Sequence, residues 1–182
     1  MKLKNIALLA LTLLALSSCN KKDKPLKKDY FFTYNVRISN KITEPTVISG
    51  YHGTVNFYEG DFMPKRNPET GEAIENKPKP VRNEILIYTG DQKGKIDSVA
   101  YEDNGFKFYD LKKLKKQKVK PKYIIKPNKS GFYQIDLGTG EYVALIRVKK
   151  TKGYFNGGAR ILSATTGTLK ELEMMIDYKA TF

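Results

Sequence analysis

The sequence has very little of what most catalytic and metal centres require. It holds one cysteine, Cys19, one histidine, His52, and no tryptophan. A single cysteine excludes an intrachain disulfide, so stability must come from a packed core. One histidine and one cysteine cannot assemble a His/Cys zinc site. A Ser-His-Asp site would have to use His52, and the chain has no Gly-x-Ser-x-Gly elbow to present the serine. Gly157-Gly158, in the stretch 153–158, is not followed by the Lys-Ser/Thr of a phosphate-binding loop, so it reads as a loop and no cofactor is expected. Glu59, Asp61 and Asp91 lie on loops where calcium could bind, but no ligand spacing supports it. Acidic residues are also scarce, 19 against 33 basic, a net charge of +14. Long apolar runs are missing as well. The one clear run, Ile6 to Leu16, is shorter than the roughly 20 residues that span a bilayer.

That short run has a specific context. Lys2 and Lys4 precede it and Leu16-Ser17-Ser18-Cys19 follows it. A positive start, a short apolar stretch and small residues before a cut site form the secretory pattern. Leu16-Ser17-Ser18-Cys19 resembles the lipobox of bacterial lipoproteins. The resemblance implies that residues 1–18 are a signal peptide, that the Cys19 thiol takes diacylglycerol, and that Cys19 becomes the first mature residue. The expected location is the bacterial cell envelope, held by lipid (palmitate-type acyl chains) at a membrane. By similarity to the enterobacterial sorting pattern, Asn20 in place of Asp points to the outer membrane, without specifying the face. A second chain or signal makes such anchoring stable.

Without Lys2 and Lys4 the balance falls from +14 to +12. Residues 19–29 read as the lipidated cysteine and a polar tether, rich in lysine, that can also lie on anionic head groups. Residues 30–182 are long enough for one domain with a real core. Their Tyr, Phe, Val, Ile, Thr and Gly fall in short alternating runs, a β composition.

Tyr34, Val36 and Ile38 alternate with polar residues and predict a half-buried strand. In Val47–Tyr58 the inward positions are Tyr51, Val55 and Phe57, with Gly50 and Gly53 marking a bulge or close backbone approach. Residues 59–82 hold four prolines and read as a long loop, of the kind that is functional or disordered. Asn83–Thr89 reads as a buried strand and Ile96–Tyr101 as a short edge strand. Phe132–Leu137, a tight turn at 138–140 and Glu141–Val148 read as a hairpin. The stretch 153–167 reads as a glycine-rich loop. Leu172, Met174, Ile176 and Tyr178 share one face of the closing segment. The expected fold is all-β, a single β-sandwich of about seven or eight strands with a lysine-rich insertion at 106–122.

The segment Asn128–Val148 resembles the carboxypeptidase regulatory-like family through Gly131-Phe132, Leu137 and Gly140-Glu141-Tyr142, with Gly53-Thr54-Val55 matching the opening strand. The resemblance implies a transthyretin-like (Ig-like) sandwich and no shared catalytic residue or ligand. Tyr51–Met63, Val81–Tyr88 and the ending Ile176-Asp177-Tyr178-Lys179-Ala180 are similar to small uncharacterised lipoproteins of Bacteroidota. The 106–122 insertion departs from the compact module, so its role is not carried over.

That insertion is the one surface with a functional look. Lys107, Lys112, Lys113, Lys115, Lys116, Lys118, Lys120 and Lys122 face a single acid, Asp110. Asp110–Gln117 predicts a short amphipathic helix with Leu111 and Leu114 inward, closed by Pro121. Lys112, Lys113, Lys115, Lys116, Lys118, Lys120 and Lys122 are the candidate polyanion-binding residues; the bland alternative is a solvated loop. Partners of the right charge are an anionic glycan, lipopolysaccharide or an acidic protein. Nucleic acid is not expected for a protein in the envelope. The expectation is thus a non-catalytic binding or scaffolding module. The alternatives are an accessory hydrolase using Glu59 and Asp61 with Glu69 or Glu72, or a subunit of an envelope secretion or transport complex, since type VI secretion lipoproteins share the sandwich architecture. Paired carboxylates would have to stand about 5–9.5 Å apart across a cleft.

Overall fold

Ile85-Leu86-Ile87-Tyr88 is buried at every position, which organises the whole fold. A strand that is apolar without alternation must be covered on both faces. In the computed structural model, which describes residues 32–148 and 154–182, Ile85 and Ile87 enter one core while Leu86 and Tyr88 enter a second. The expected Cys19 lipidation site, the signal peptide and the whole tether lie outside the described residues.

The strands, in chain order, are β1 (Tyr34–Arg37), β2 (Gly50–Asp61), β3 (Lys65–Arg66), β4 (Ala73–Ile74), β5 (Lys79–Pro80) and β6 (Ile85–Thr89), then β7 (Ala100–Asp103), β8 (Phe106–Asp110), β9 (Tyr123–Lys126) and β10 (Phe132–Ile135). β11 (Gly140–Ile146), β12 (Tyr154–Ala164), β13 (Leu169–Glu171) and β14 (Met174–Thr181) complete the set. Two short helices interrupt them, Lys93–Asp97 and Leu111–Lys116. The chain is all-β, a sandwich of two mixed sheets, and Thr33–Phe182 forms one unit.

The larger sheet has seven strands in the order β1-β9-β6-β11-β12-β8-β7. The smaller is built around β2. Its first half lies between β10 and β13, and its second half pairs with β5 and β14. Between the sheets, Tyr51 and Val55 of β2, Phe132 and Ile135 of β10, and Met174 and Ile176 of β14 meet Ile85, Ile87, Ile125, Tyr142, Ala144 and Ile146 of the larger sheet. On the far face of that sheet, Leu86, Tyr88, Val143 and Leu145 pack under Ile96, Val99, Tyr109, Leu114 and Val119. The larger sheet therefore has a second cover, contributed largely by the two helices and the lysine-rich segment.

Several expectations need correction. Tyr34 is 55% exposed, because β1 is an edge strand, and only Ile38 of its alternating set is buried. The stretch 59–82 is not one open loop: it carries the end of β2, the β3–β4 hairpin and β5. Ile96 lies on a helix, fully buried, and the edge strand begins at Ala100. β10 and β11 are not a hairpin. β10 pairs with β2 in one sheet and β11 with β6 and β12 in the other. Leu137 is fully buried at this crossover, the Tyr142 hydroxyl donates to the Gly138 carbonyl (3.1 Å), and the Thr139 and Thr166 hydroxyls meet at 3.1 Å. The glycine-rich stretch is mostly the long strand β12, held between β11 and β8. Gly53, by contrast, does mark a close approach: a Cβ there would lie 2.2 Å from the Leu172 carbonyl oxygen.

Burial also sets an alkaline limit. It pushes the Tyr88 and Tyr133 hydroxyls well above their ordinary range, Arg147 pulling Tyr88 slightly back. Burial, then the hydrogen bond to Glu173, pushes Tyr58 up to about 12. An unfolded tyrosine ionises near 10. Above that pH the unfolded chain releases protons that the folded chain keeps, so stability falls as pH rises from about 10 towards 12. The urea midpoint is expected to drop between pH 9 and 11.5, and less in Tyr58→Phe.

Candidate functional site

Asp110 starts the lysine-rich helix. Its backbone is extended and its carboxylate accepts from the Lys113 amide at 3.0 Å, an N-cap. Lys113, Lys115 and Lys116 occupy the last turn, where cations suit the helix dipole. The helix ends at a residue in the left-handed region, Lys118 (φ 58°), well before Pro121. Lys118 N–H donates to the Lys115 carbonyl and Val119 N–H to the Leu114 carbonyl, both at 3.0 Å. This is the Schellman closure, with Leu114 and Val119 buried in one cluster as its apolar contact. Glycine is the usual residue at that position. Lys118→Gly is therefore expected to raise stability by about 0.5–1 kcal/mol, measured as a higher urea midpoint.

The closure turns the lysines outward. Lys112, Lys113, Lys115, Lys116, Lys118 and Lys120 are all exposed. Among the described residues, none of these six has an acid within 4 Å. Lys122 stands apart: it is half-buried, with its ammonium 5.5 Å from the Tyr123 ring centre and 5.8 Å from that of Tyr142. Lys107 sits over Tyr109 at 5.8 Å.

Beside the helix lies a groove of about 330 Å³. Leu86 and Tyr88 of β6, Ile124 of β9, Leu111 and Leu114 of the helix, and Val119 and Pro121 after it make its apolar surface. Lys112, Lys115, Lys120 and Arg147 supply its cations. Arg147 is anchored, with its guanidinium 2.7 Å from Glu84 Oε2, its amide donating to the Glu84 carbonyl at 2.7 Å, and its own carbonyl accepting from Asn83. The Glu84 oxygen is buried and makes this contact without a well-aligned hydrogen bond. The structure thus gathers Lys112, Lys115 and Lys120 around one groove. Lys113, Lys116 and Lys118 project from the same segment without lining it, and Lys122 turns to the tyrosine rings.

The acidic candidates fall elsewhere, and Glu59 and Asp61 are held in ion pairs. Lys179, by hydrogen bond and charge, holds the Glu59 carboxyl below its ordinary range at 2.9 Å. Lys65, then the Met63 amide, does the same for Asp61, with Lys65 at 2.7 Å. A general acid needs the opposite shift. Glu69 and Glu72 are exposed on the β3–β4 hairpin, where the Glu72 carboxylate accepts from the hydroxyl of its neighbour Thr70. Asp91 is exposed in the 3₁₀ turn that follows β6. His52 is half-buried in β2, its ring 6.4 Å from that of Phe132. Among the described residues, no three His, Cys, Asp or Glu side chains are grouped to hold a metal ion. No helix of the described residues is long and apolar enough to cross a membrane.

Compared with known proteins, the chain matches no family model, no curated protein and no solved structure. The geometry therefore defines a class and no more: a β-sandwich whose larger sheet carries a cationic helical cover.

Proposed function

We propose that this protein is a lipid-anchored envelope lipoprotein whose domain is a non-catalytic binding module for an anionic partner. The observation that carries the reading is the support under the charge. Four exposed lysines, Lys112, Lys113, Lys115 and Lys116, ride on a helix capped at one end by Asp110, closed at the other by Lys118, and pinned by Leu114 and Val119. A charge run that served only solubility has no need of such a mount. Fixed cations on an ordered surface focus positive potential and attract polyanions such as acidic glycans or lipopolysaccharide phosphates. The lipobox-like Leu16–Cys19 supports the anchor. The ten residues between Cys19 and Tyr30 would reach at most about 35 Å when extended, keeping the surface near the membrane.

Two measurements test this. Cells fed an alkyne-tagged palmitate are expected to label the chain, and Cys19→Ser is expected to abolish the label. Persistent labelling would remove the anchor. In neutral phosphatidylcholine vesicles, the full chain is expected to bind sulfated dextran. Replacing Lys112, Lys113, Lys115 and Lys116 with Gln is expected to weaken that binding at least tenfold. It should also flatten the slope of log affinity against log salt by up to about four units. Unchanged binding would leave the lysines as a solvated surface.

A further inference from the structure

Charge alone does not account for the groove. A site for a purely polar polyanion gains nothing from an apolar trough between its lysines, and water in such a trough is held by few polar partners. Here the trough is lined by Leu86, Leu111, Leu114, Val119 and Ile124, and the exposed Lys112, Lys115 and Lys120 line it as well. Apolar walls with a few converging charged groups are the general make-up of a small-molecule site.

We infer that this groove binds one acyl chain of a single-chain anionic amphiphile, with the lysines at its edge taking the head group. The inference rests on the anion-binding reading of the same segment and deepens it by naming the ligand class. Size points to one chain. At about 330 Å³ the groove sits at the lower end of ligand-pocket volumes, too small for a two-chain lipid. Charge points to an anion. Arg147 is already paired with Glu84, but the three lysines have no acid within 4 Å among the described residues, so the edge carries uncompensated positive charge. An uncharged diacylglyceryl group, such as the lipid expected on Cys19, satisfies neither condition. The support is rigid where it matters: Leu86 and Ile124 belong to adjacent strands paired in register, Leu86 with Ile124. The mobile-length lysine side chains can then follow the head group while their stems extend the apolar wall.

The test uses the full chain in neutral phosphatidylcholine vesicles and a diazirine-bearing dodecanoate as photolabel. The label is expected on peptides covering Leu111–Ile124. Unlabelled dodecanoate is expected to displace it at least tenfold better than dodecyl maltoside, which has the same chain without the charge. Leu111→Trp, which fills the groove from a half-buried position, is expected to remove the label yet leave sulfated dextran binding intact. If that variant does not fold, Lys112→Glu with Lys115→Glu, both exposed, serves instead and is expected to cut labelling at least tenfold. Label spread over exposed apolar residues such as Ile48 and Ile161, or equal competition by dodecyl maltoside, would overturn the inference. Groove labelling without any dextran binding would overturn the polyanion reading and leave the acyl site standing.

Discussion

Replacing Leu114 with alanine is expected to destabilise the protein by about 2–5 kcal/mol, the range for removing a buried leucine side chain. Leu114 is 1% exposed and is the one fully buried residue of its helix. It packs with Leu86, Tyr88, Tyr109, Val119, Val143 and Leu145 on the outer face of the larger sheet. Lys113→Ala, one residue away and exposed, is the matched control, expected within about 0.5 kcal/mol of the parent. Urea unfolding at constant m gives both values. If the lysine-rich segment were a solvated loop, the two substitutions would behave alike. A large difference identifies it as a structural cover of the sheet. Amide exchange should then rise first at residues 111–119 and later in β6, because the helix has one buried anchor and β6 has four.

How legible this was in the sequence depends on the range of the interaction. The β6 strand was readable because Ile-Leu-Ile-Tyr carries its burial in its own composition, and the face holding Met174 and Ile176 because period two shows over a few residues. The Leu111–Lys116 helix was readable from Asp110 and the spacing of Leu111 and Leu114. The crossover at 136–139 was not, because a short glycine turn serves a hairpin and a sheet-to-sheet passage equally well. Its outcome is set by β2, β6 and β12, all distant in sequence. Ile96 reads as part of a strand for a similar reason. Its helix is five residues with a glycine, Gly94, in second place, and its one local signal is the Lys93–Asp97 pair at 2.6 Å, which suits i,i+4 spacing.

The site divides in the same way. Its lysines stand in one segment, so the charge was visible. Its apolar floor comes from Leu86 and Ile124, and its fourth cation from Arg147, three positions joined only by the order β9-β6-β11. A signal did exist: a strand buried on both faces requires a second cover, and the nearest amphipathic segment was the lysine-rich one. The cover and the candidate site are thus the same element. Changes there are expected to move stability and ligand binding together unless they are confined to exposed lysines.

Gly50→Ala is the other substitution with a large expected effect, and it strikes the smaller sheet. Gly50 opens β2 with φ +95°, a conformation that side chains rarely adopt. An added Cβ would lie 2.3 Å from the Ile135 carbonyl oxygen and 2.8 Å from the Leu137 amide nitrogen, both backbone atoms that cannot rotate away. On its other side the Gly50 amide donates to the Thr168 carbonyl at 2.9 Å, just before β13. Three strands therefore converge on a residue that has no room for a methyl. Backbone strain of about 1–3 kcal/mol and overpacking of about 1–3 kcal/mol together predict a loss of roughly 2–6 kcal/mol. Gly105→Ala separates the two contributions, because Gly105 has φ +78° but nothing within 4 Å of the added carbon. It is expected to lose only about 1–2 kcal/mol. Thermal or urea unfolding of the pair measures the difference, and equal losses would mean that the close approach at Gly50 contributes nothing. Because β10 and β13 both pair with the first half of β2, amide exchange in Gly50→Ala should rise there first. Leu86 and Tyr88, packed on the far face of the other sheet, should hold their protection until global unfolding, so the lysine-edged groove is expected to survive a lesion that loosens the opposite layer.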